Sequence, residues 1–108
     1  MENIEELIKR LIATATSIAG DKWSEIKISV THELKVLASR IKDIAAAVAS
    51  KEMSKNGAKL LFQLAKNNLI STIAMTNVLV VSAVQKLVNA VLKDIKDFVN
   101  LALGFSLI

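Results

Sequence analysis

Residues 67–85, NNLISTIAMTNVLVVSAVQ, carry no charged side chain. No proline occurs anywhere in the chain, and between Lys55 and Leu103 the only glycine is Gly57. A run this long without charge or helix breaker reads as part of one long helix, and the rest of the chain must cover it. Val81, Val84, Val88, Val91, Ile95, Phe98 and Ala102 recur at steps of three and four, which is a heptad seam. A second seam runs beside it through Leu69, Ile73, Val80, Ala83, Leu87 and Ala90. Two seams call for two packing neighbours. The remaining face is polar at Ser82, Gln85, Lys86, Asn89, Lys93, Lys96 and Asn100, and at Lys59, Gln63, Lys66 and Asn67 upstream. Between those runs it holds Ala74 and Val78, so for about three turns the helix is apolar nearly all round.

A stretch of this kind is buried in its own fold, in an oligomer or in lipid. A spanning helix needs ~20 predominantly apolar residues. Asn67, Asn68, Ser71, Thr72, Thr76, Asn77, Ser82 and Gln85 interrupt this one, and lipid offers their polar groups no partners. The central helix of a bundle is the expected role.

The first helix is expected over residues 3–19. Asn3 and Glu6 have the spacing of a capping box, and Ile4, Leu7, Ile8, Leu11, Ile12, Ala15 and Ile18 form the apolar face. Gly20 suits a left-handed C′ position, and Asp21 suits the N-cap of a second helix over 22–50. Trp23, Ile26, Val30, Leu34, Leu37, Ile41, Ile44 and Val48 carry its period. The segment EIKISVT, residues 25–31, alternates like a strand, but the helical period continues on both sides of it. SKEMSKNG, residues 50–57, is a connection, with Ser54 the expected N-cap of a third helix over 55–103. At ~1.5 Å per residue that helix would be about 70 Å long. A break near Asn67 and Asn68 would give four shorter helices instead. Gly104 ends it, and an apolar tail, 104–108, follows.

The expectation is therefore an all-α chain, an antiparallel bundle of three long helices, or four if the third breaks. Hydrophobic residues make up 53% of the 108, which is high for a small domain with much surface to cover. Oligomerisation is expected to complete the bundle, a two-fold dimer first. The expected interface is Ile73, Val80, Val81, Val84, Val88, Val91, Phe98 and Phe105.

The inventory argues against several chemistries. Without cysteine there is no disulfide, zinc–thiolate site or thiol nucleophile. The one histidine, His32, has no Glu-x-x-His partner motif, and a catalytic triad would lack support. Three scattered glycines cannot form a phosphate loop. No catalytic residue, metal or cofactor is expected, and the role reads as non-enzymatic: a self-associating scaffold or protein-binding module. The opening MENIEEL is acidic, unlike a secretory leader, so a cytoplasmic location is the expectation.

The net charge of +4 is unevenly spread. Residues 35–66 hold seven basic side chains against Asp43 and Glu52. Arg40, Lys42, Lys51, Lys55 and Lys59 are candidate anion contacts at one tip. An anionic membrane or nucleic acid is the corresponding alternative partner. Only one arginine and no aromatic residue among them argues against base-specific readout.

Overall fold

The computed structural model describes the backbone of residues 4–103 and the side chains of residues 4–100. The expectations for Asn3, Gly104, the tail 104–108 and Phe105, and the placement of the Ala102 side chain, lie outside these. Over the described residues the chain is all-α, with no strand: α1 is Ile4–Ala19, α2 is Trp23–Ala49, α3 is Lys55–Met75 and α4 is Val81–Leu103. The strand-like segment 25–31 is helical within α2.

Short connections make successive helices neighbours. Gly20 has φ +59°, the left-handed turn that a glycine adopts without a Cβ penalty, and one 3-10 turn, Gly20–Lys22, leads into α2. Asp21 lies inside that turn rather than capping α2, whose N-cap, Lys22, makes no side-chain cap bond. Ser54 does cap α3: its Oγ accepts a hydrogen bond from the Gly57 backbone N–H at 3.0 Å.

The expected third helix of 49 residues is two helices. The particle measures 42 × 25 × 19 Å, too short for a continuous rod of about 70 Å. The break falls at residues 76–80, well beyond the Asn67–Asn68 site considered from sequence. Neither glycine nor proline causes it. Asn77 takes φ +57°, a region that asparagine tolerates better than most side chains. The Asn77 N–H donates to the Ala74 carbonyl at 3.2 Å, as in a common helix C-terminus. The Thr76 hydroxyl donates to the Ile73 carbonyl at 2.7 Å and accepts from the Val78 N–H at 3.4 Å. Val78 and Leu79 then pack on the core, and the β-branched Val80 and Val81 lead into α4.

The helices close a ring. α1 packs on α2, α2 on α3, α3 on α4 and α4 on α1; α2 and α4 also touch across the centre, whereas α1 and α3 stay apart. Each helix gives the core one stripe, mostly at steps of three and four. The stripes are Leu7, Leu11, Ala15 and Ala19 from α1 and Ile26, Val30, Leu34, Leu37, Ala38 and Ile41 from α2. α3 gives Ala58, Ala65, Leu69 and Ile73, and α4 gives Val84, Leu87, Val88, Val91, Ile95 and Val99. Among the described residues no polar or charged residue is buried. The polar tie between helices lies at the edge of the core. Asp94 Oδ2 accepts from the Thr14 hydroxyl at 2.6 Å, and Arg10 Nη2 donates to the Asp94 carbonyl at 3.2 Å. Asp94 thus fastens α4 to α1.

Candidate functional site: the outer face of the third helix

The break changes which apolar residues are available to a partner. Folding α4 back gives both of its seams neighbours within the chain. Ile73, Val84, Val88 and Val91, expected at an oligomer interface, are enclosed by the chain's own helices at 0%, 7%, 2% and 0% exposure. Phe98 is half-buried and packs on the same core. Of the described residues on that expected surface, Val80 and Val81 remain in solvent, at 69% and 75% exposure.

A different set takes their place. α3 turns Ala58, Ala65, Leu69 and Ile73 inward. At about 100° per residue, Leu60 and Leu64 then fall on the opposite side. Leu60, Leu61, Leu64, Ile70 and Met75 are all exposed, and Val80 and Val81 continue the surface past the helix end. No cation or anion separates these residues from one another except Lys66, which lies on the flank toward α4. Between the two apolar ends sit Gln63, Asn67 and Ser71, and Gln63 Nε2 donates to Asn67 Oδ1 at 3.2 Å.

Taking about 170–220 Å² for each such residue when fully exposed, these seven expose about 800 Å² in all, the area a standard protein interface takes from each partner. Leu61 and Ile70 lie about 180° apart round α3, so the total is spread over its outer face and both flanks. Ile28 on α2 is also exposed, but it is a single residue among polar neighbours and asks for no explanation.

Open grooves flank α3 on both sides. The one toward α2, about 440 Å³, is lined by Ala47, Met53, Leu61, Leu64 and Asn68, with Arg40 and Asp43 at its edge. The one toward α4, about 580 Å³, is lined by Ile70, Leu79 and Val81 together with Lys66, Gln85 and Asn89. The α2 side thus continues the apolar surface of α3, and the α4 side is mixed.

The basic residues share an end of the molecule without facing one way. Arg40, Lys42, Lys51, Lys55 and Lys59 are all exposed. Arg40 borders the α2–α3 groove beside Asp43, while Lys42 lies about 200° round the same helix. Lys55 and Lys59 lie on the other flank of α3, in line with Lys66. These positions give a diffuse positive end and do not converge on one anion.

His32 is exposed. Among the described residues no three His, Asp or Glu side chains converge as a metal site would require, and no helix is long and apolar enough to cross a membrane. The fold and this surface define a small all-α protein with an unusually apolar outer helix. No protein-family model, curated protein or solved structure matches the chain.

Proposed function

We propose that the protein is a non-enzymatic helical scaffold that works by binding a second copy of itself through the outer face of α3. The observation that carries this reading is the set of exposed apolar residues on and beyond α3, Leu60, Leu61, Leu64, Ile70, Met75, Val80 and Val81, whose exposed area totals about 800 Å², of the order that a stable dimer takes from each partner. The four-helix core is otherwise complete. It shows no buried polar residue among those described, so exposure of so many large aliphatic side chains on one helix is not a packing failure elsewhere. The reading keeps the expected role and moves the interface from α4 to α3. The absence of cysteine suits a reducing compartment such as the cytoplasm.

The test is sedimentation equilibrium of the purified chain across nanomolar to high micromolar concentration. The expected result is a reversible monomer–dimer equilibrium, complete at micromolar protein. A monomer of 11.7 kDa at every concentration overturns the proposal. The positive end suggests the rival occupant, an anionic lipid surface. Flotation of the protein with phosphatidylserine vesicles, by a chain that stays monomeric without lipid, would replace the dimer with that reading.

A further inference from the structure

Resting on the reading that α3 is the contact surface, we propose that two copies pair with their α3 helices antiparallel. The two-fold axis passes between Asn67 and Asn68. Leu60 then faces Met75 of the second copy, Leu64 faces Ser71, and the two asparagines face each other.

Charge decides the direction. On α3 the cations Lys55, Lys59 and Lys66 all lie in the first twelve residues, and the last nine residues carry none. The same imbalance holds for the ends of the molecule. At the α2–α3 connection Arg40, Lys42, Lys51, Lys55 and Lys59 stand against Asp43 and Glu52. At the opposite end Lys22, Lys27, Lys35 and Lys86 stand against Asp21, Glu25 and Glu33, a smaller excess, with Lys22 and Glu25 paired at 3.8 Å. A parallel dimer would set two positive ends side by side. An antiparallel dimer lays each strongly positive end on the less charged one and holds the two strongly positive ends apart by the length of α3, about 31 Å. That distance is several times the screening length of about 8–10 Å at physiological salt. The dipoles of the two helices favour the same direction.

Polar groups decide the register. The exposed apolar residues of α3 run from Leu60 to Met75, and the midpoint of that span is the Asn67–Asn68 pair. Centring the axis there sets Leu60 on Met75 and Leu61 on Ala74, with Leu64 on Ser71. It also leaves amides facing amides. Asn67 Oδ1 already accepts from Gln63, and its amide nitrogen donates to Asn68 of the second copy. A polar residue at the middle of an apolar seam fixes register in this way, because any slip leaves an amide against a leucine.

The chain has no cysteine, so single cysteines report the geometry directly. The experiment uses the full chain carrying Leu60→Cys or Met75→Cys, each alone and as an equal mixture, at a concentration where sedimentation shows dimer under reducing conditions. In the antiparallel dimer identical positions lie about 22 Å apart along the helix, beyond the ~7 Å Cα–Cα reach of a disulfide. The expected result is therefore rapid oxidative crosslinking in the mixture, with mass spectrometry finding a disulfide-linked peptide that joins position 60 of one copy to position 75 of the other. Either variant alone should crosslink at least tenfold more slowly. Rapid crosslinking of each variant with itself would show a parallel pair and overturn the proposal. A dimer that crosslinks in no combination would overturn it too, by placing the seam elsewhere. A reduced sample that is monomeric at all concentrations would defeat the underlying self-association and not merely its geometry.

Discussion

Replacing Leu64 with aspartate separates the stability of the fold from the strength of its self-association. Leu64 is 56% exposed, so somewhat less than half of it is buried within the chain. Full burial of a leucine contributes about 1.5–3 kcal/mol, so the variant loses about 1 kcal/mol of packing in the monomer. Aspartate is also a poorer helix former, which costs about 0.5 kcal/mol more. The fold should survive that loss, with Tm lower by roughly 5–10 °C for a domain of this size. The dimer loses more. The exposed part of Leu64 would contribute about 1–1.5 kcal/mol at the interface, and a two-fold contact counts it twice. Two carboxylates must then be stripped of water as well, so about 2–3 kcal/mol is a lower bound. The dimer Kd should rise at least about 30-fold. Sedimentation equilibrium measures the Kd, and a circular-dichroism melt measures the fold, with Ser39→Asp on the exposed face of α2 as control. A Kd within threefold of the unsubstituted chain, in a variant that still folds, would refute the placement of the interface on α3.

Two backbone positions test the fold that creates this surface. Gly20→Ala should lower stability by about 1–2 kcal/mol, because its φ of +59° is strained for any residue with a Cβ. No atom lies within 4 Å of the added methyl, so a denaturant titration reads the backbone cost alone, and an unchanged midpoint would contradict the left-handed turn. Asn77→Gly should be neutral or stabilise by up to about 1 kcal/mol, since glycine relieves the positive φ of the α3–α4 connection. Asn77→Val should instead cost at least about 1–2 kcal/mol. The opposite order, with small-angle scattering of the monomer showing a particle about 70 Å long, would mean that α3 and α4 run on as one helix.

The helices were legible because their cause is local. Steps of three and four locate α1 and α2 almost to the residue, and the turn chemistry of Gly20 and Ser54 appears where the sequence places it. The break at 76–80 was not legible by the usual punctuation, since neither proline nor glycine marks it. Its signals are weaker. A threonine able to take a carbonyl, an asparagine able to turn left-handed and the largely β-branched run Val78–Leu79–Val80–Val81 each carry only a modest preference against helix. Asn67 and Asn68 show a similar polar signal without breaking α3. The difference lies in tertiary contacts, because a chain reversing at 76–80 seats Val78 and Leu79 on the core.

The burial of the residues expected at an interface follows from the same cause. A 49-residue rod with only two companions would have left a seam of α4 bare, so Val84, Val88 and Val91 read as a surface awaiting a partner. Once the chain turns, α4 lies against α1, α2 and α3 together, and those valines become core. The excess of apolar residues does not vanish; it is transferred. α3 touches α2 and α4 but not α1, and the fully buried part of its inward stripe begins with Ala58 and Ala65, small residues with only Phe62 between them packed on the core. Leu60, Leu61 and Leu64 therefore stay outside, one to four positions off those alanines. The sequence does contain this signal: two leucines four apart, set opposite an alanine stripe on the same helix, mark a second apolar face. It becomes readable only when α3 is known to end at Met75, because a helix that ends there has too few neighbours within its own chain to cover both faces.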